Sequence, residues 1–314
     1  MEIKEYLENP KQDPITYDFT NDCTCEKYKE KTDVLERYII YTCAFKQDSD
    51  FYTKAGKVIY NEAKKYAADV REKYIGIIDA DSQSELLQKI YQMLWEVNIV
   101  SKYNGNCVNI CGDTLNSVRT ALKSIGYTSN LSIQTFITSA NTLKSIKGLE
   151  EFLSVYHTIG NFMPIPKGCN KPRGEGATKD FWDLALKIIY EYYYLGINNI
   201  VKIVGKGKVK DYKEWLDKFG KEQEGWKNFI KRNYLEPFVE SDYGKPIELW
   251  DGHFAQFEKL LEGKEKTKKA EESYVLPNKE QAEQYFENAH KKILERGGLM
   301  LAALVEKLNE NKGE

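Results

Sequence analysis

The chain has 314 residues, of which 41% are hydrophobic and 30% charged, and 46 Lys and Arg against 48 Asp and Glu leave a formal net charge of −2. That is enough chain for one large core or two smaller ones, and the composition excludes wholesale disorder. Only six basic residues are arginine (37, 71, 119, 173, 232 and 296), so a surface-wide grip on duplex DNA is excluded and any nucleic-acid contact must be a local patch. Met1–Pro10 has no apolar segment of the secretory kind, and no run approaches 18 apolar residues. The best, Val34–Phe45, is broken by Glu36, Arg37 and Thr42. The expectation is a cytoplasmic protein without membrane contact, its six cysteines reduced. Cys107-x3-Cys111 has a spacing that zinc accepts, but no second Cys or His pair stands near it.

In chain order, residues 1–30 read as irregular, with Tyr17–Phe19 as a short strand. Apolar residues at three and four spacings predict helices over Ser49–Tyr74 and Ser84–Ile99. Cys107–Cys111 is a brief apolar stretch, after which Asp113 or Thr114 caps a helix that Gly126 closes. Phe136–Ile146 and Leu149–Val155 are shorter helical segments. Gly160–Gly176, rich in Gly and Pro, reads as an ordered loop. Phe181, Leu184, Ala185, Ile188, Ile189 and Tyr192 give the clearest helical period, stopped at Gly196. Asn198–Gly207 is open between strand and turn. Helices follow over Tyr212–Phe219, Trp226–Leu235 and Pro246–Leu261, then a charged linker, then Lys279–Leu308 with a kink at Gly297-Gly298. The fold class expected is mainly α with little strand. Its parts are a helical 1–156, a central polar loop 157–180, a helical 177–262, a linker 263–278 and a last helix 279–314, with the halves sharing one core.

The candidate site centres on that loop. His157 is one of only three histidines, and it heads a segment that gathers Asn161, Asn170, Arg173, Asp180 and Asp183. Long loops inside compact domains tend to carry function. The plainer reading makes His157 a helix C-cap and the asparagines turn residues. Val204-Gly-Lys-Gly-Lys, with Lys206 and Lys208, is basic and glycine-rich but lacks P-loop spacing, leaving a phosphate contact or a solvated turn. His253 and His290 read as lone surface or core histidines, and Tyr192–Tyr194 as core aromatics.

Ile159-Gly-Asn-Phe followed by Cys169-Asn-Lys-Pro and an aromatic-acidic helix start resembles the HNH segment of GmrSD-type restriction enzymes. That resemblance implies a nuclease using Mg2+ or Mn2+. On that resemblance His157 would be its base, oriented by Asn161, with Asn170 or Asp180 toward the metal; Asp113 is a further candidate partner for His157, and Arg173, Lys206 and Lys208 are candidate substrate contacts. The family's upstream acidic-His pair has no counterpart, since no His precedes 157. The whole chain also resembles an uncharacterised group of low-GC bacterial and prophage proteins. It shares with them Gly-Asp-Thr-x-Asn-Ser (Gly112–Ser117), His157-Thr-Ile-Gly-Asn and Lys179-Asp-x-Trp-Asp. Two functions are therefore expected in phage–host conflict: a degenerate HNH-like nuclease, or a non-catalytic protein that binds a bacterial defence complex.

Overall fold

The computed structural model describes residues 1–45, 57–97, 110–118, 143–169, 181–204, 206–263 and 278–310. The protein is mainly α. The described elements are α1 (Ile3–Glu8), α2 (Glu26–Lys29), α3 (Val34–Phe45), α4 (Lys57–Lys73), α5 (Ala80–Gln83), α6 (Glu85–Trp95), β1 (Ile110–Thr114), α7 (Leu149–Ser154), β2 (Phe162–Pro166), α8 (Trp182–Tyr194), α9 (Val201–Val204), α10 (Val209–Asp217), α11 (Glu222–Arg232), α12 (His253–Gly263) and α13 (Lys279–Glu310). No described helix is long and apolar enough to cross a membrane.

Local chemistry sets the boundaries. Ser84 caps α6 by accepting from Leu87 N at 3.0 Å, and Glu96 ends the helix in the left-handed conformation (φ 58°). The buried face of α6 is Leu86, Leu87, Ile90, Tyr91, Leu94 and Trp95, the broad apolar face its spacing predicts. On α8 the buried set Leu184, Ala185, Ile188 and Ile189 follows the helical period, with Trp182 and Asp183 buried in its first turn.

Several sequence expectations are corrected. Tyr17–Phe19 is not a strand: a 3-10 turn begins at Phe19, where Asp18 Oδ1 accepts from Thr20 N at 2.9 Å. Residues 1–30 hold two short helices rather than irregular chain. Asp113 and Thr114 do not cap a helix; they lie in β1, which pairs antiparallel with β2 in the register Ile110–Pro166, Gly112–Pro164 and Thr114–Phe162. The Gly160–Gly176 loop therefore contains a strand. Its two prolines are tolerated because a two-stranded ribbon leaves each strand an edge where a missing N–H costs nothing. Pro246–Leu249 precedes a helix that starts only at His253. At Gly297-Gly298, read as a kink or break, α13 runs on without a break. Val201–Val204 is a short helix, and Lys206–Lys208 a 3-10 turn. The 107–126 and 136–142 expectations lie largely outside the described residues.

All five residues of β2 are buried. Met163 and Ile165 belong to the main core, which spans Cys23 to Ile293, while Phe162 and Ile159 join a second cluster with α1, α6 and the end of α13. The ribbon is thus a partition between two apolar masses.

Candidate functional site

The antiparallel ribbon brings two sequence-distant motifs together. Gly112–Ser117 comes to lie against the His157–Asn161 turn because β1 runs into one and β2 out of the other. Asn161, fully buried, is the fastener. Its Oδ1 accepts from Asn116 N at 2.9 Å, and its Nδ2 donates to Asn116 O at 3.2 Å and Tyr156 O at 2.9 Å. Its own carbonyl accepts from Leu115 N at 2.7 Å. The third motif joins through Trp182, whose Nε1 donates to Thr114 O at 3.2 Å. All three elements meet at one knot, and α13 closes over it. Arg296 Nη1 donates to Gly160 O at 2.7 Å and Phe162 O at 2.8 Å, and its Nε to Asn233 O at 3.0 Å. A Cβ on Gly160 would collide with the Ile293 carbonyl, so this turn admits only glycine beneath the helix. Burial holds the Arg296 guanidinium down to about 9.

His157 is 7% exposed. Its ring lies against Tyr41 (centroids 4.3 Å apart), Tyr156 (4.6 Å) and Phe162 (6.5 Å, stacked). Its Nδ1 is 3.9 Å from Asp18 Oδ1, too far for a hydrogen bond, and Nε2 is buried without a hydrogen-bond partner among the described residues. Asp18 is held by Arg37, whose Nη2 and Nε lie 2.7 and 3.2 Å from Oδ2. Burial pushes Asp18 upward, but His157, Arg37 and the Thr20 hydroxyl outweigh it and its carboxyl stays below the usual range. For His157 burial wins: the imidazole is held below its ordinary value despite Asp18 and Asp79 nearby. A neutral imidazole wedged among rings is what results. Together with Asp18, Arg37, Lys29, Lys31 and Ser154 it lines a polar cleft of about 490 Å³.

Asp113 is 1% exposed and does not line that cleft. It raises the Asp81 carboxyl, which burial and the adjacent Asp79 already push well above the usual carboxylate range. Asp79 in turn accepts from Tyr41 Oη at 2.8 Å. Gly112 lets this acidic corner approach the ribbon, since a Cβ there would meet the Asp81 carbonyl and the Tyr91 hydroxyl. Burial, Asp113 and Asp81 push the neighbouring Cys111 thiol up to about 12, so the free thiol is protonated at neutral pH. Asn170, Arg173, Asp180 and Cys107 lie outside the described residues. Lys206 is exposed, and Lys208 pairs with Asp211 at 2.7 Å. Of the expected site residues the structure thus joins Asp113 and Asn161 to one buried knot and turns only His157 toward an open cleft. Among the described residues no group of three or more His, Cys, Asp or Glu is arranged to hold a metal ion.

Two pairings were not apparent in the sequence. Asp183 Oδ2 lies 2.5 Å from His253 Nδ1 and accepts from Leu249 N at 2.9 Å, and Trp250 stacks on the imidazole at 3.4 Å. Both side chains are fully buried. Asp18 and Arg37 likewise give no local motif.

A larger cleft, about 1010 Å³, lies elsewhere. One wall is α10 and α11 with Trp215, Lys218, Phe219, Lys231 and Arg232; the other is the last three turns of α13. Trp95, Tyr234, Ile110 and Pro164 line it between them.

A mainly α protein built around a buried two-strand knot is the class these features define. The chain belongs to a family of unknown function, DUF6994, whose model matches residues 62–297. No curated protein and no solved structure matches it.

Proposed function

We propose that this is a non-catalytic, cytoplasmic protein-binding factor, with the cleft between α11 and α13 as its recognition surface. The observation that carries the reading is where the motif side chains spend their polar atoms. Every side-chain hydrogen bond of Asn161 among the described residues returns to backbone, and the His157 Nε2 is buried with no hydrogen-bond partner among them. A general base needs its free nitrogen within reach of a water that attacks substrate. The open volume instead has aromatic and aliphatic walls under a charged rim, the make-up of a protein-docking surface. The five described cysteines are free thiols, which fits a reducing compartment. The resemblance to prophage proteins makes a bacterial defence complex the partner class to test first.

The test pairs two assays on one preparation. No cleavage of single- or double-stranded DNA or RNA is expected with Mg2+ or Mn2+. Complex formation with a co-expressed defence complex should be lost in Phe219→Asp and kept in Lys206→Ala. Metal-dependent cleavage that disappears in His157→Ala at unchanged melting temperature would overturn the reading.

A further inference from the structure

The end of α13 is unusual among the elements of this fold. Leu299, Ala302, Ala303, Glu306, Lys307 and Glu310 follow the helical period and all face the large cleft. Leu299 is 41% exposed, and Val305 beside this stripe 46%. The 32-residue helix buries one face along its length, Met300 and Leu304 included, and near its end a second face carrying Leu299 and Ala302 stays open to solvent. Twelve residues from Leu299 to Glu310 span about 18 Å, the length over which a second helix makes a sizeable contact.

The charges on the two walls differ in sign. Just past α10 stands Lys218 and on α11 stand Lys231 and Arg232, with Glu236 the one acid on that side; on α13 stand Glu306 and Glu310 with Lys307 between them. Arg232 makes a long pair with Glu96 at 3.6 Å. Lys218, Lys231, Lys307, Glu306 and Glu310 make no ion pair among the described residues. What the cleft calls for is therefore a helix with a small apolar centre and acids toward the α11 wall. The terminal face of α13 is itself such a helix.

We propose that the cleft takes α13 of a second copy of this chain, making the protein a two-fold dimer in solution. The proposal rests on the protein-docking reading of the cleft, in which a second copy and any other partner compete for the same groove. A two-fold axis beside Ala302–Ala303, where small side chains allow close approach, sets the two α13 ends antiparallel. Glu306 and Glu310 of one copy then lie level with residues 295–299 of the other. That is the stretch held beside Asn233 by Arg296, and so beside Lys231 and Arg232. The same contacts recur in reverse, which makes the interface isologous and closed rather than the start of a filament. Each α13 end becomes buried between its twin and the twin's α11, removing the exposed apolar stripe from water.

Light scattering on the full chain across a range of micromolar concentrations tests this. Twice the chain mass is expected, shifting to the monomer in Leu299→Glu/Ala302→Glu, with the helical circular dichroism unchanged because both side chains are exposed. Lys218→Glu/Lys231→Glu and Glu306→Lys/Glu310→Lys should each weaken the dimer roughly tenfold or more, and their combination should recover it. A wild-type chain that stays monomeric throughout overturns the proposal, as does a dimer indifferent to all these variants. A monomer whose defence-complex binding is still lost in Leu299→Glu would remove self-association alone and leave the docking reading standing.

Discussion

The knot around Asn161 and the cleft beside α13 are opposites in how sequence and space relate. In the knot, short motifs with conspicuous polar residues converge, and the convergence consumes them: Asn161 and Arg296 each bond several backbone groups that would otherwise be stranded in the core. In the cleft, side chains scattered from Trp95 to Glu310 make a surface that no motif announces. Polar residues close together in sequence are as much a sign of a backbone that needs satisfying as of chemistry. Burial, which a sequence does not display, separates the two.

The contrast is broken most severely at Gly160. Gly160→Ala drives a methyl into the Ile293 carbonyl and lifts α13 off both cores, since Arg296 and Ile293 move together. A loss of about 4 kcal/mol or more is expected in chemical denaturation. A change under about 1 kcal/mol would mean the helix is not seated there. Next comes Asn161→Ala, which strands Asn116 N and the Asn116 and Tyr156 carbonyls in a dry interior; about 3 kcal/mol is expected from the same measurement. If Asn161 instead served a reaction, stability would hold and only activity would fall.

Helices were the legible part of this fold. Where apolar spacing is long and regular, as on α6 and α8, most of the face agrees, though on α8 Tyr193 rather than Tyr192 is buried and Leu186 joins off the period. The ribbon was not legible: Pro164 and Pro166 signal a loop, and β1 is so short that Asp113 looks like a helix cap. What rescues the strand is its partner, a long-range pairing that carries no local period. Gly297 misled in the other direction. It reads as a break but packs against Ile15, Ile159 and the Gly160 backbone, so a missing side chain serves close approach rather than bending. At the site, His157 is visible as an oddity, while Asp18, which fixes its surroundings, comes from a stretch that reads as irregular, and Arg37 reads only as an interruption of the apolar run Val34–Phe45.

A smaller effect sharpens the acidic corner. Asp81 has a folded-state carboxyl well above its unfolded value because of burial, then Asp79 and Asp113. Its contribution is fully present below about pH 4 and is lost as the pH rises toward the folded value. Asp81→Asn should flatten that decline, making the variant the more stable protein at pH 8 while the two converge toward pH 4. Unfolding curves at both pH values check it; a wild type that gains stability between pH 4 and 8 through this residue would have the sign reversed.

The smallest expected effect is at His157, and its sign is opposite. Burial holds the imidazole below its unfolded value of about 6.5, with Arg37 adding to that and Asp18 and Asp79 only partly countering it. The neutral ring fits the cage of Tyr41, Tyr156 and Phe162, whereas the unfolded chain accepts a proton freely. The stability this provides is complete above about pH 6.5 and falls away as the pH drops through the folded value. His157→Phe keeps a flat ring among rings and removes the titration, so melting temperatures of variant and wild type should diverge in the variant's favour from pH 6.5 down to 5. Above pH 7 the variant should lie within about 1 kcal/mol of the wild type, because the long Asp18 contact contributes little. A variant that loses stability equally at every pH would show that His157 holds the fold through a hydrogen bond rather than by fitting the cage uncharged.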